Sequence, residues 1–308
     1  MAAAEVFTIG RQDLDGLTNT TTLITGGSAG IGLQTALLIH SLSPTNNIIV
    51  LDRQPPSNTV PRSLIHSPRF LFQKCDITSW REQSAAFAAG IARFGTIDHC
   101  FVNAGINEYK DQIFTDQYDN EGKLQEPDRR TINIDLDSAV DTVKLAVHYM
   151  RQRQRGTIVL TASMAGYLAS QGAPLYSAAK HGIVGLMRAL KNDTATLGVS
   201  ISVVAPGITL TDIIAGRNLD ESLSHWATRM REHGVAINEP ADVAVAVAFL
   251  FQGGMKSNGR GLLIQAGRFF DVEAAIARSR STWMGSEMLQ LFRSGRDAPL
   301  FPNKLNKL

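Results

Sequence analysis

Short apolar runs alternate with helical stretches along most of this 308-residue chain, and that alternation constrains its fold more than any other feature. Thr21–Thr25, Asn47–Asp52, Phe70–Lys74, Cys100–Asn103, Gly156–Thr161, Ser200–Ala205 and Leu262–Gln265 read as short strands, most of them separated by helical patterns of ten or more residues. Strands that are apolar along their whole length bury both faces, which is the habit of parallel sheets covered by helices on each side. The expectation is a single α/β domain over residues 1–308, a Rossmann-type, doubly wound, seven-stranded parallel sheet with helices on both faces and its core at about 17–267. Two segments break the rhythm. Residues 106–128 are long and polar, and residues 209–239 mix apolar side chains with His225, Trp226 and Met230, as substrate lids do. Residues 271–308 read as a helical tail whose Trp283, Met288, Leu289 and Phe292 serve core or oligomer packing.

Composition narrows the function classes. An apolar fraction of 44% with 19% charged residues fits a soluble globular chain that can bury a sizeable core. The net charge of +2 is too small to argue for nucleic acid or an anionic membrane as partner. Arg151, Arg153 and Arg155 form a local basic run that reads as a solvated turn. Cys75 and Cys100 fall in or beside buried strands, which suggests free thiols in a reducing compartment, and no metal-ligand spacing is present. No apolar run approaches the roughly 20 residues that span a bilayer, and Met-Ala-Ala-Ala-Glu-Val lacks the pattern of a secretory signal. The terminal Asn306-Lys307-Leu308 is like the peroxisomal Ser-Lys-Leu address but lacks its small first residue, so a cytoplasmic location is expected, with a peroxisomal one as the alternative.

The chemistry lies at strand ends. Thr25-Gly26-Gly27-Ser28-Ala29-Gly30-Ile31-Gly32 joins the first strand to the first helix, where glycines let backbone approach a pyrophosphate resting on a helix N-terminus. Asp52 ends the second strand, twenty residues after Gly32, placed to accept hydrogen bonds from ribose hydroxyls and to repel a 2′-phosphate. That favours NAD as cofactor; Arg53 beside it keeps NADP as the alternative. Tyr176 and Lys180 stand one helical turn apart, with Ser163 upstream. A free phenol has a pKa of about 10, and a fixed cation nearby favours its ionised form, so the pair suits proton transfer at a carbinol oxygen held by the Ser163 hydroxyl. Taken alone, Tyr-x-x-x-Lys is also what an ordinary solvated helix face looks like.

With these pieces assembled, the chain resembles the short-chain dehydrogenase/reductase family over about Leu17–Gly267. Asp76 with Ile77 matches the family's adenine-contacting acid, although Asp76 could equally cap the helix beginning near Ser79. Asn103-Ala104-Gly105 matches the fourth-strand motif, preceded by Val102 where the family carries a second Asn. Asn133 matches the fourth-helix Asn, which implies a water-linked proton relay to Lys180; a helix-bending polar residue is the alternative. Ser163, Tyr176 and Lys180 match the catalytic set, Lys180 also binding the nicotinamide ribose, and Pro206-Gly207-Ile208-Thr209 matches the loop over the nicotinamide, Thr209 near its carboxamide. His181, Asp98 and Asp135 read as structural. Leu175-Tyr176-Ser177-Ala178-Ala179-Lys180-His181-Gly182 is similar to the 15-hydroxyprostaglandin dehydrogenase type, and Trp283-Met284-Gly285 resembles fungal relatives from secondary-metabolite pathways. The resemblance implies an oxidoreductase moving a hydride between NAD and a lipophilic secondary alcohol or ketone, assembled as a homodimer or homotetramer. Its alternatives are an NADP-dependent ketoreductase and a catalytically silent nucleotide-binding protein.

Overall fold

A computed structural model describes residues 5–57, 60–108, 110–215 and 222–294. Residues 216–221 of the expected lid and 295–308 of the expected tail, with the terminal Asn-Lys-Leu, lie outside them. In chain order the elements are β1 Thr21–Thr25, α1 Gly30–Leu42, β2 Asn47–Asp52, α2 Arg62–Ile65, β3 Phe70–Lys74, α3 Trp80–Phe94, β4 His99–Val102 and α4 Arg130–Ile132. There follow α5 Ser138–Arg151, β5 Gly156–Thr161, α6 Pro174–Thr196, β6 Val199–Pro206, α7 Asp212–Ala215, α8 Leu223–Glu232, α9 Pro240–Gly253, β7 Gly261–Gln265 and β8 Arg268–Asp271. Three short helices end the described chain: α10 Val272–Arg278, α11 Arg280–Met284 and α12 Ser286–Arg293.

The strands run β3-β2-β1-β4-β5-β6-β7-β8 across one sheet, parallel from β3 to β7. The eighth strand corrects the seven expected: β8 folds back antiparallel on β7, pairing Leu262 with Asp271 and Gln265 with Arg268. Its two-residue turn, Ala266-Gly267, has φ of 47° and 69°. That left-handed pair suits a hairpin turn, but Ala in the first place lacks the Asn-Gly signature that would announce it.

Side chains alternate between two cores. Ile49 and Leu51 point to the side covered by α3, α5 and α6, where Phe87, Ala146, Met150, Ile183 and Met187 are buried. Ile48 and Val50 point the other way, to Ala36 and Ile39 of α1 and Val243, Val247 and Phe251 of α9. Both faces being apolar at every step is what dictates the two helical layers. Cys75 and Cys100 are buried free thiols, and burial with nearby carboxylates pushes Cys75 up to about 12.

The chain winds one way from β1 to β3 and the other way from β4 onward, so a crevice opens beyond the carboxyl ends of β1 and β4. At the opposite edge, Asp98 is only 4% exposed and accepts from Thr21 N at 3.0 Å, Arg153 at 3.0 Å and Arg155 at 3.1 Å. Two members of the basic run are thus tied to a buried carboxylate rather than merely solvated. Burial works against the Asp98 charge, but the Thr21 and Arg153 bonds hold its carboxyl below the usual range.

Candidate active site

A cavity of about 750 Å³ occupies this crevice, within the range of small-molecule sites. At one end of it stand Asp52, Arg53, Asp76 and Ile77, and at the other Ser163, Tyr176, Lys180 and Thr209. Gly26, Gly30, Ile31, Asn103, Ala104, Gly105, Asn133, Pro206, Gly207 and Ile208 also line it. Two expected residues do not. Ser28 is buried and donates its backbone N–H to Asp52 Oδ2 at 3.1 Å, while Gly32 packs behind the turn.

Close approach dictates the turn. A Cβ on Gly32 would stand 2.2 Å from the Gly26 carbonyl oxygen, and one on Gly26, at φ 65°, would stand 2.8 Å from Ala104 Cα. Asn103 fastens the turn from below, donating to the carbonyls of Thr25 at 3.1 Å and Gly26 at 3.2 Å and accepting from the Thr161 hydroxyl at 3.2 Å. Gly30 and Ile31 of the first turn of α1 therefore line the cavity, and the N–H groups that a helix start leaves without intrahelical partners make a cradle that fits a pyrophosphate. Asp52, at the rim, fits a ribose. Asp76 does not cap α3: Ser79 does, accepting from Glu82 N at 3.3 Å. Asp76 instead accepts the backbone N–H and hydroxyl of Thr78 at 2.9 and 2.8 Å, and those bonds hold its carboxyl below the usual range.

At the far end, α6 begins with Pro174 in its first turn, where a missing N–H costs nothing. Glu108, 6% exposed, accepts from Tyr176 N at 2.9 Å and sets a negative charge on the helix N-terminus. One turn on, Lys180 is 4% exposed, and its Nζ lies 5.4 Å from the centre of the Tyr176 ring. The ammonium donates to the Thr161 carbonyl at 3.1 Å and pairs with Asp135 Oδ2 at 3.0 Å. Burial opposes its charge, yet the negative charge and hydrogen bond of Asp135, with Tyr176 nearby, hold Lys180 above the ordinary lysine value. Ser163 accepts from Ala165 N at 3.2 Å.

The residue paired with Lys180 is Asp135, expected to be structural; Asn133, expected to reach the lysine through a water, is exposed and lines the cavity. The cause is local: Asn133–Asp137 forms a π-helical turn between α4 and α5, with Ser138 N donating to the Asn133 carbonyl. The widened turn alters which side chain meets α6. Asn238 was also missed. Fully buried, it donates to the Ile264 carbonyl at 2.9 Å, and its backbone bonds Ile208 O and Leu210 N, pinning the Pro206–Thr211 loop. The lid is helical in part, and Ile213, Ile214 and Trp226 line the cavity. Leu168, by contrast, is 60% exposed, and neither it nor Leu175 lines the cavity.

Comparison with known proteins follows the same lines. A family model described as short chain dehydrogenase matches residues 20–222. Short-chain dehydrogenase/reductase prx4 of Penicillium rubens is 33% identical over 288 residues, covering 90% of this chain and 84% of its own. The 5'-hydroxyaverantin dehydrogenase stcG of Emericella nidulans is 28% identical, covering 93% and 96%. Among solved structures, levodione reductase superposes with a TM-score of 0.68 at 24% identity, over 84% of this chain and 99% of that one, a likeness of fold.

Proposed function

Because the chain belongs to the short-chain dehydrogenase/reductase family, we propose that it moves a hydride between NAD and a lipophilic secondary alcohol or its ketone. A terpenoid, steroid-like or polyketide alcohol, of the kind secondary-metabolite pathways supply, suits the apolar wall of Ile213, Ile214 and Trp226. One observation carries the reading: a half-buried tyrosine on a cavity wall, with a buried, charged lysine 5.4 Å from its ring. The 5'-hydroxyaverantin dehydrogenase, named for a hydroxylated substrate, supports the same reaction class.

When bound, the nicotinamide supplies the two-electron redox chemistry. The protein supplies geometry and proton handling. Tyr176 takes the substrate's hydroxyl proton in oxidation and returns it in reduction. The Lys180 ammonium stabilises the phenolate by its fixed charge. Ser163 donates to the substrate oxygen as charge develops there. Gly26, Gly30 and Ile31 would hold the pyrophosphate, Asp52 the adenosine ribose, Asp76 and Ile77 the adenine, and Pro206–Thr209 the nicotinamide side. Assembly through the faces of α5 and α6, as a homodimer or homotetramer, belongs to the same reading.

The test is initial rates with NAD and NADP across sterols, terpenoid alcohols, hydroxy fatty acids and polyols. Tyr176→Phe should lower turnover by about 10²–10⁴-fold while NAD still binds; full activity in that variant would sink the assignment. Arg53 on the cavity wall favours a second reading, an NADP-dependent ketoreductase. A strong NADPH preference would overturn the role given to Asp52.

A further inference from the structure

The helix that carries Tyr176 begins without a cap of its own. Its N-cap residue, Ala173, makes no side-chain cap bond, and Pro174 follows it. Ser177 is the first residue of α6 whose N–H finds a partner within the turn, the Ala173 carbonyl at 3.0 Å. The N–H of Tyr176, third in the helix, is one of the donors that a helix start leaves unpaired. Glu108 meets that need from 68 positions upstream, its Oε2 accepting from Tyr176 N at 2.9 Å. Glu108 is a costly residue for the task. It is buried, its Oε1 has no hydrogen-bond partner, and no cation pairs with it among the described residues. A buried carboxylate is rarely kept without full pairing, and a neutral acceptor would cap the helix at less cost. Such departures from the stable choice gather where function demands them.

We propose that Glu108 is a positioning residue: by capping α6 from the loop after β4, it fixes the first turn of the helix and so the place of the Tyr176 ring on the cavity wall. The loop is suited to this because it is itself held. Ile106 N donates to Asp135 Oδ1 at 2.8 Å, and Glu108 N donates to Asn107 Oδ1 at 2.9 Å. Ile106 and Asn107 also line the cavity, as Tyr176 does. One carboxylate therefore joins two walls of the cavity, so the loop and the phenol keep a common geometry. Without it the first turn of α6 would fray, as uncapped helix ends do, and Tyr176 lies within that turn.

This role rests on reading Tyr176 as the proton-handling group, but the position of its ring can be followed with neither cofactor nor substrate. Tyrosine carrying ¹³C in the ring is incorporated into the whole chain, and the Tyr176 signal is assigned with Tyr176→Phe. Glu108→Met keeps the unbranched side chain and removes the acceptor; Glu108→Gln keeps the acceptor and removes the charge. In Glu108→Met the Tyr176 signal should shift and broaden while the circular dichroism stays native. Its kcat should fall by about 10–100-fold, since a misplacement of about 1 Å at a reacting group costs on the order of 10²-fold, and KM for NAD should stay as in the native enzyme. Glu108→Gln should return the ring signal and recover most of kcat. A native Tyr176 signal or a native kcat in Glu108→Met would overturn the proposal. So would a Gln variant that behaves like the Met one, because the charge and not the hydrogen bond would then be at work. If Glu108→Met does not fold, Glu108→Ala is measured in its place, and failure of both would assign Glu108 to holding the fold and overturn its positioning role. A native protein without dehydrogenase activity whose ring signal responds as expected would sink the proposed function and leave the capping role of Glu108 standing.

Discussion

One methyl group is enough to test the turn at the head of α1. A Cβ on Gly32 would lie 2.2 Å from the Gly26 carbonyl oxygen, so Gly32→Ala must displace backbone that Asn103 holds in place. Calorimetric titration should show NAD bound at least about tenfold more weakly, equivalent to roughly 1.4 kcal/mol, in a protein whose circular dichroism is native. Unchanged affinity would remove this turn from the cofactor site. The glycines were legible because steric demand at a strand–helix turn admits no other residue type, and the Tyr176–Lys180 spacing because one helical turn is a local distance. Asp135 was not legible. Its contact with Lys180 joins positions 45 apart in the chain and depends on a π-helical turn that no residue pattern announces. Glu108 at the head of α6 was hidden for the same reason: nothing near it in sequence points to Tyr176.

At the scale of elements, the amino ends of β1, β4 and β5 are tied by a pair of titrating neighbours. His99 of β4 is buried, stacks on Phe251 of α9 at 4.6 Å and hydrogen-bonds Thr157 of β5. Burial lowers its pKa to about 4, against the opposing pull of Asp98. In the unfolded chain the imidazole returns to about 6.5. Between those values the unfolded chain binds a proton that the folded one refuses, so stability falls as pH drops from about 6.5 toward 4. Asp98, held below the usual carboxylate range, contributes stability above about 3.9 that is lost as pH falls through its folded value. Urea midpoints measured from pH 7.5 to 4 should decline in the native protein, and His99→Phe, which keeps an aromatic ring against Phe251, should flatten the decline above pH 4. A parallel decline in both would remove His99 from the acid response. The seven parallel strands were readable from unbroken apolar runs. The short β8 and the pairing of Arg153 and Arg155 with Asp98 were not, since each is fixed by a partner distant in the chain or by a turn without its usual residues.

Across the whole molecule the cavity bridges the two halves of the sheet. Asp52 ends β2 and Asp76 follows β3, while Tyr176, Lys180 and Thr209 belong to the half built on β5 and β6, and β1 and β4 join them at the switch point. The doubly wound order makes that division readable from the alternation of strands and helices; the shape of the far wall, set by the lid, is not, because Ile213 and Trp226 reach the cavity while Leu168 turns outward. A dinucleotide spanning both halves should clamp them. At about 100 times its Kd, NAD should stabilise the fold by roughly 2.7 kcal/mol, a rise in Tm on the order of 5 °C for a chain of this size. Linking two weak binders makes the second contact intramolecular. At equal concentration, therefore, the NAD shift should exceed the sum of those from AMP and nicotinamide mononucleotide. NADP should shift Tm less than NAD, since its 2′-phosphate would meet the Asp52 carboxylate. If AMP alone reproduced the full NAD shift, binding energy would be confined to the β1–β3 half, and the loop pinned by Asn238 would hold no part of the cofactor.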